Sequence, residues 1–441
     1  MRAPTRDHLV ALYRDHVHAL TQAYSAALAA HGYDAVVLHS GRAKKRTEFD
    51  DQYWPHRPVP HFQHWAPIAD PDAYVVVEQG KGARLTWPVC TSFWEKPLPP
   101  ESDHFLEALD VSRDALPALP SGKKIALVAE DPAVGPELGI ADVNPPSLVA
   151  ALDALRTKKT DYEVLCIAEA NRRAALGHDA VREAFFGERG LSELELHLVY
   201  LRATRQDDPE TPYKNIVALD DNGAVLHHVG YGRDVPAGES LLLDAGATYL
   251  AYCSDITRTW VKPRGESGAT FKGLVDAMEE MQKGLCASIT SGHKYEALHD
   301  ASHRGVSKIL SEAGLVKASA EETDEKGISR AFYPHGLGHS LGLQCHDVGC
   351  ATVKPRADNP FLRNTSVIEP QQVFTIEPGL YFIDGLLAEL RRGPHGALVD
   401  WTAVEALSRY GGIRIEDDVL VTEGGIHNMT RELLPRGGGG A

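Results

Sequence analysis

Four acidic residues sit inside apolar, strand-like sequence in the second half of the chain. They are Asp244 after Leu241-Leu-Leu243, Asp255 before Ile256, Glu377 in Phe374-Thr-Ile-Glu-Pro378 and Glu416 in Ile413-Arg-Ile-Glu416. A strand end is a common place for a capping or turn-forming acid, so each alone says little. Their co-occurrence constrains the fold. A buried carboxylate needs a partner, and four that converge bring a charge of −4, which mutual repulsion forbids unless cations fill the site. Two divalent ions balance that charge, and carboxylates bridge such ions about 3.5 to 4 Å apart, a geometry that turns a water into a bridging hydroxide. An oxygen-rich donor set with one imidazole suits manganese, cobalt or zinc rather than a structural thiolate zinc site.

The rest of the chain suits a soluble enzyme. Its 441 residues predict two or three domains with room for a sizeable core. Hydrophobic residues at 43% and charged residues at 24% exclude disordered and filamentous classes. A formal charge of −16 disfavours nucleic acid and anionic membrane surfaces as partners. No run approaches the length of a membrane span, and the N-terminus lacks a signal-peptide pattern. Six scattered cysteines without a C-x-x-C pair read as thiols in a reducing compartment, so the expected location is cytoplasmic.

Leu9, Leu12, Tyr13, Val17, Leu20, Tyr24 and Leu28 recur near the helical period, predicting a helix over 7–31 that ends before Gly32. Short apolar runs at 35–38, 74–77 and 125–128 predict buried strands. Pro and Gly thicken over 117–122 and 135–146, and a capping box, Thr160-Asp-Tyr-Glu163, then opens a helix over 161–186. This places an α/β domain at 1–156, a second mixed α and β domain at 157–436, and a flexible glycine tail at 437–441. Within the second domain a capping box at Ser192 and Glu195 opens another helix. Strands are expected at 216–219, 241–243, 372–376 and 413–415, and helices over 271–288 and 295–313.

His335-Gly-Leu-Gly-His339 has the spacing of a zinc-binding helical motif, but Gly336 stands where that motif needs a Glu, and two glycines argue for a loop. His227 and His346 are candidates for supporting positions around the ligands. There is no phosphate-binding loop and no nucleophile elbow. Cys345 beside His346 is set aside as a nucleophile, because catalytic partners meet in space rather than in sequence.

Taken in order, Leu243-Asp-Ala-Gly-Ala247, Ser254-Asp-Ile-Thr-Arg-Thr259, His335-Gly-Leu-Gly-His339, Thr375-Ile-Glu-Pro-Gly379 and Gly411-Gly-Ile-Arg-Ile-Glu-Asp-Asp418 resemble the catalytic domain of the metal-dependent Xaa-Pro dipeptidases, the prolidases of the pita-bread metallopeptidase fold. Gly41-Arg-Ala-Lys, Asp50-Asp-Gln-Tyr-Trp-Pro55 and Pro60-His-Phe-Gln-His-Trp65 resemble the N-terminal domain of the bacterial prolidase subgroup that includes the organophosphorus acid anhydrolases. The resemblance implies an N-terminal creatinase/prolidase-like domain followed by a pita-bread domain. It puts the metal ligands on Asp244, Asp255, His339, Glu377 and Glu416, and non-ligand site histidines on His227, His335 and His346. It puts Arg414 at the substrate end, Tyr213 in the pocket wall, and Asp51 and Trp94 at positions lent by a partner subunit, hence a homodimer. The implied cofactor is two divalent ions per subunit, manganese first, with cobalt or zinc as alternatives. The implied activity is hydrolysis of Xaa-Pro dipeptides by a metal-bridging hydroxide, with Glu377 shuttling the proton and organophosphate hydrolysis as a side activity. Cleavage of longer Xaa-Pro peptides and non-catalytic peptide binding are the alternatives.

Overall fold

In the computed structural model, residues 4–94, 96–234, 238–351 and 353–434 are described, so the glycine tail lies outside the described residues. The chain divides into two compact units, 1–169 with 249–252, and 170–248 with 253–441; the division falls inside the helix Asp161–Phe186.

The first unit is a six-stranded mixed sheet with helices. Its strand order is Asp110–Ser112, Arg84–Thr86, Tyr74–Glu78, Ala35–His39, Ile125–Val128, Asp142–Val143. The central strand Ala35–His39 is buried along its whole length, pairing antiparallel with Tyr74–Glu78 and parallel with Ile125–Val128. That is why its sequence is a continuous apolar run instead of an alternating one. The first helix, Arg6–His31, starts where the Thr5 side chain accepts the His8 N–H and stops at Gly32, whose φ of 70° closes the last turn. Its buried stripe is the predicted one with His16 added and Leu12 only half-buried. The helix Pro146–Leu155, not expected from the sequence, begins at the last residue of the proline- and glycine-rich stretch; Pro at the first helical turn costs nothing there, since that N–H has no intrahelical partner anyway.

His16 enters a buried polar cluster. Its Nδ1 is 2.8 Å from Thr160 Oγ1 and its Nε2 2.9 Å from the His64 carbonyl. Glu163 accepts the Thr160 N–H at 2.8 Å and the Tyr252 hydroxyl at 3.2 Å, and lies 3.5 Å from His64 Nε2. His104 meets the Tyr162 hydroxyl at 3.0 Å. Burial pushes His16 and His104 each down to about 4. Glu163 is disfavoured as an ion by burial, but His64 and His16 hold it below the usual carboxylate range. All three shifts have the same sign for stability, since the unfolded chain binds protons that the folded unit refuses: the histidines' share, present above pH 6.5, is lost as pH falls toward 4, and that of Glu163 is lost only below the ordinary carboxylate value of 4.5. For His16 alone the difference is on the order of 3 kcal/mol. We therefore expect acid melting of this unit to begin near pH 6. His16→Gln should flatten the dependence of melting temperature on pH between 6.5 and 4; an unchanged slope would exclude this cluster as its source.

In the second unit, the strands Ile216–Leu219, Ser240–Asp244 and Thr257–Val261 form an antiparallel sheet with Ser240–Asp244 in the centre. A second sheet is built from Val373–Ile376, Asp417–Thr422 and Gly425–Asn428, and Gly379–Tyr381 pairs with Gly412–Arg414. An isolated bridge between Thr257 and Glu416 joins strand ends. The helices Gly265–Ala287 and Tyr295–Glu312 supply much of the apolar core, with Phe271, Val275, Met278, Val306 and Leu310 fully buried. No helix among the described residues is long and apolar enough to cross a membrane.

Candidate metal centre

Strand register brings the acids together. Thr257 pairs with Asp244, which sets Asp255, just ahead of the strand Thr257–Val261, beside the end of Ser240–Asp244. Glu377 follows directly after Val373–Ile376, and Glu416 lies between Gly412–Arg414 and Asp417–Thr422. His339 belongs to a loop, as the two glycines suggest. A Cβ on Gly338 would collide with the Thr375 carbonyl and the Tyr295 hydroxyl, so only glycine lets the loop lie against the strand. There Thr375 N–H donates to the His339 carbonyl at 3.0 Å.

The ligand atoms of Asp255, His339 and Glu416 lie within 4.8 Å of one another. His339 Nε2 is 3.3 Å from Asp255 Oδ2 and 3.7 Å from Glu377 Oε1. Its Nδ1 lies 3.1 Å from the Ser340 carbonyl, a contact that puts the proton on Nδ1 and turns the Nε2 lone pair into the site. Asp244 joins through two bridges: the Tyr213 hydroxyl donates to Asp244 Oδ1 at 2.7 Å and Asp255 Oδ1 at 2.5 Å, and Arg414 Nη2 donates to Asp244 Oδ2 at 2.6 Å. Thr257 Oγ1 donates to Glu416 Oε2 at 2.6 Å.

The electrostatics are those of acids short of counter-charge. Burial raises Asp244 above its ordinary range, and burial together with Asp255 and Glu377 holds Glu416 well above its own. Burial lifts Glu377 to about 7. Burial opposes charge on Asp255 too, but His339 holds it low, while Asp255 in turn lifts His339 to about 9 against its own burial. An imidazolium is the only nearby cation besides Arg414 among the described groups facing these acids. Hard oxygen donors that cannot all ionise without added positive charge, plus one imidazole, fit divalent cations.

The structure also places the other expected residues. His335 lies 3.7 Å from Glu377 Oε2; its Nδ1 meets the Gly336 carbonyl and its Nε2 the Tyr381 hydroxyl, each at 2.8 Å. His346 is exposed, and its ring stands edge to face with His339 at 4.4 Å between centroids. Exposed His227 contributes to the electrostatics of both His335 and His346. Arg414 is buried and bonds Asp244, the Tyr381 hydroxyl at 2.9 Å and Thr257 Oγ1 at 3.2 Å. Asp51 and Trp94 belong to the first unit and are exposed, the Trp94 ring tilted 37° against Phe93 with centroids 4.6 Å apart.

Sequence reasoning missed several supporting residues. Arg258, fully buried, pairs with Asp417 at 2.8 Å and donates to the Glu416 carbonyl at 2.7 Å. Asp418 accepts the Asp255 N–H at 3.0 Å and the Asn171 amide at 2.8 Å. Cys345 donates to Asp255 Oδ2 at 2.9 Å. Arg258, Asp417 and Asp418 lie within quoted motifs, but only the fold shows what they hold. Because Tyr213 fixes two acids at once, Tyr213→Phe should weaken manganese binding about 10- to 100-fold, as loss of a bond orienting a ligand does. Calorimetric titration of stripped protein checks this; equal affinity would reduce Tyr213 to a wall residue.

Residues 166–423 match the family model described as metallopeptidase family M24, and residues 11–154 match that of the Xaa-Pro dipeptidase N-terminal domain. The chain is 40% identical over 444 residues to an Xaa-Pro dipeptidase of Pseudoalteromonas haloplanktis, covering 97% of this chain and 99% of that one. It is 39% identical to one of Marinobacter nauticus, again over 97% and 99%. Among solved structures, Pseudomonas aeruginosa aminopeptidase PepP superposes with a TM-score of 0.72 at 23% identity, covering 98% of this chain and 96% of that one. Aminopeptidase P from E. coli does so with a TM-score of 0.71 at 21% identity, with the same coverage. At that identity these two report the shared fold, the expected N-terminal domain followed by a pita-bread domain. Over nearly its whole length, then, the chain belongs to metallopeptidase family M24 and, within it, to the bacterial Xaa-Pro dipeptidases.

Proposed function

We propose that this chain is a metal-dependent prolidase, hydrolysing the peptide bond of Xaa-Pro dipeptides. The convergence of Asp255, His339 and Glu416, extended by Asp244 and Glu377, carries the reading. An Xaa-Pro bond has no N–H and its ring fixes φ near −65°, so hydrolysis needs an activation that does not grip the amide proton. Asp244, Asp255, His339, Glu377 and Glu416 would hold two divalent ions, manganese first with cobalt or zinc as alternatives. Such ions, when bound, supply Lewis-acid polarisation of the scissile carbonyl and activation of the attacking water.

The chain's own residues do the rest. Glu377 carries the proton from the attacking water to the prolyl nitrogen, which must be protonated to leave. His335 has both nitrogens engaged, so it holds Tyr381 and through it Arg414, while exposed His227 is the imidazole free to meet the oxyanion. His346, at the outer edge, takes the proline carboxylate, and Arg414 offsets part of the burial penalty on charge at Asp244 from within. Tryptophan and phenylalanine left in water at Trp94 and Phe93 support a homodimer in which Asp51 and Trp94 serve the partner's site. Six free thiols suit the reducing cytoplasm. The same activated water would attack phosphorus esters as a side reaction.

The test is hydrolysis of Ala-Pro and Ala-Pro-Ala by chelator-stripped protein with and without manganese. Cleavage of the dipeptide alone, and only with metal, is the expected result. Cleavage of the tripeptide would move the assignment to an aminopeptidase, and cleavage of neither would remove it.

A further inference from the structure

The residue that sequence reading sets aside is one that the fold carries into the metal centre. Cys345 is half-buried, its Sγ lies 2.9 Å from Asp255 Oδ2, and that same oxygen is 3.3 Å from His339 Nε2. The ligand atoms of His339, Cys345 and His346 converge within 4.8 Å of one another, a second group overlapping the first at His339. The loop bearing the thiol is pinned: Cys253 N–H donates to the Gly342 carbonyl at 2.8 Å, Gly342 N–H to the Gln344 carbonyl at 3.1 Å and Asp347 N–H to the Ser340 carbonyl at 2.8 Å. The sulfur is therefore fixed beside the acids.

We propose that Cys345 is a sulfur donor of this centre, so that Cys345, His339 and Asp255 together accept a borderline or soft divalent ion such as cobalt(II), zinc(II) or cadmium(II). The inference rests on the prolidase reading only in assuming that the acids and His339 bind metal. Its chemistry is independent of the peptidase reaction. A carboxylate and water set suits manganese and discriminates poorly against harder ions, whereas a thiolate beside an imidazole and a carboxylate oxygen is a donor set that zinc and its soft congeners prefer. One end of the site would then rank metals differently from the other, and cadmium would enter at the sulfur end even with manganese present.

Cobalt(II) reports the two ends separately. Titrating chelator-stripped full-length protein with cobalt(II) should give visible ligand-field absorption from bound metal and, in addition, a near-ultraviolet sulfur-to-cobalt charge-transfer band. The charge-transfer band should be lost in Cys345→Ala and in Cys345→Ser while ligand-field absorption persists, and it should survive in Cys90→Ser, which removes the exposed thiol. Cobalt bound by the wild type without a charge-transfer band overturns the sulfur ligand and leaves the prolidase reading standing. A band that persists in both Cys345 variants assigns it to another thiol and equally overturns the proposal. Failure of the wild type to bind cobalt at all would overturn both.

Discussion

Glu377→Gln is expected to lower kcat for Ala-Pro by about 10²- to 10⁴-fold, the range lost when a positioned proton carrier is removed. Glutamine keeps the shape and one oxygen but can neither accept the proton of the attacking water nor return it to the prolyl nitrogen. The side chain stands between two imidazoles, His339 at 3.7 Å and His335 at 3.7 Å, at the end of a strand whose four residues are all buried. The backbone therefore has no reason to move. Metal content measured on the same sample separates a lost proton carrier from a lost ligand. A variant that binds metal and turns over at the wild-type rate would exclude Glu377 as the carrier.

Arg258→Leu should destabilise the second unit by about 3 to 5 kcal/mol, the cost of leaving a buried acid without its partner. Arg258 and Asp417 both have side chains with no solvent exposure. Asp417 retains Arg431 at 2.7 Å, which puts the expectation toward the lower end. The effect should reach the site, because Arg258 also donates to the carbonyls of Thr257 and Glu416 and so ties the strand carrying one to the segment carrying the other. Denaturant unfolding with and without manganese measures both consequences. A loss below 1 kcal/mol, with metal stabilisation intact, would mean that this pair neither holds the fold nor the site.

Local pattern made much of the fold legible. The helix Arg6–His31, the strand Ile125–Val128 and the capping boxes at Thr160 and Ser192 follow from periodicity and cap chemistry acting within a few residues. The helix Pro146–Leu155 escaped because Pro145-Pro146 reads as a breaker unless the helix start is already known. Asp417 and Asp418 fall inside a quoted motif without a role assigned from sequence, and both lie in the buried strand Asp417–Thr422. Asp417 is paired there with Arg258, from 159 residues away, and Asp418 Oδ2 with Asn171, from 247 residues away. No local pattern contains such partners. For the same reason the four acids and the histidine of the candidate centre were legible as residue types beside strands, whereas Thr257 on Glu416 and Cys345 on Asp255, paired across 159 and 90 residues, required the fold.

The central claim is that one cluster of four acids and a histidine holds two ions, both needed for hydrolysis. The most direct measurement is Ala-Pro hydrolysis by stripped protein titrated with manganese, with bound metal counted in the same samples. Activity absent at the start and rising to a plateau at about two ions per chain is the predicted result, in keeping with a paired-metal site. Full activity in stripped protein, or a plateau at one ion with no further change, would contradict it.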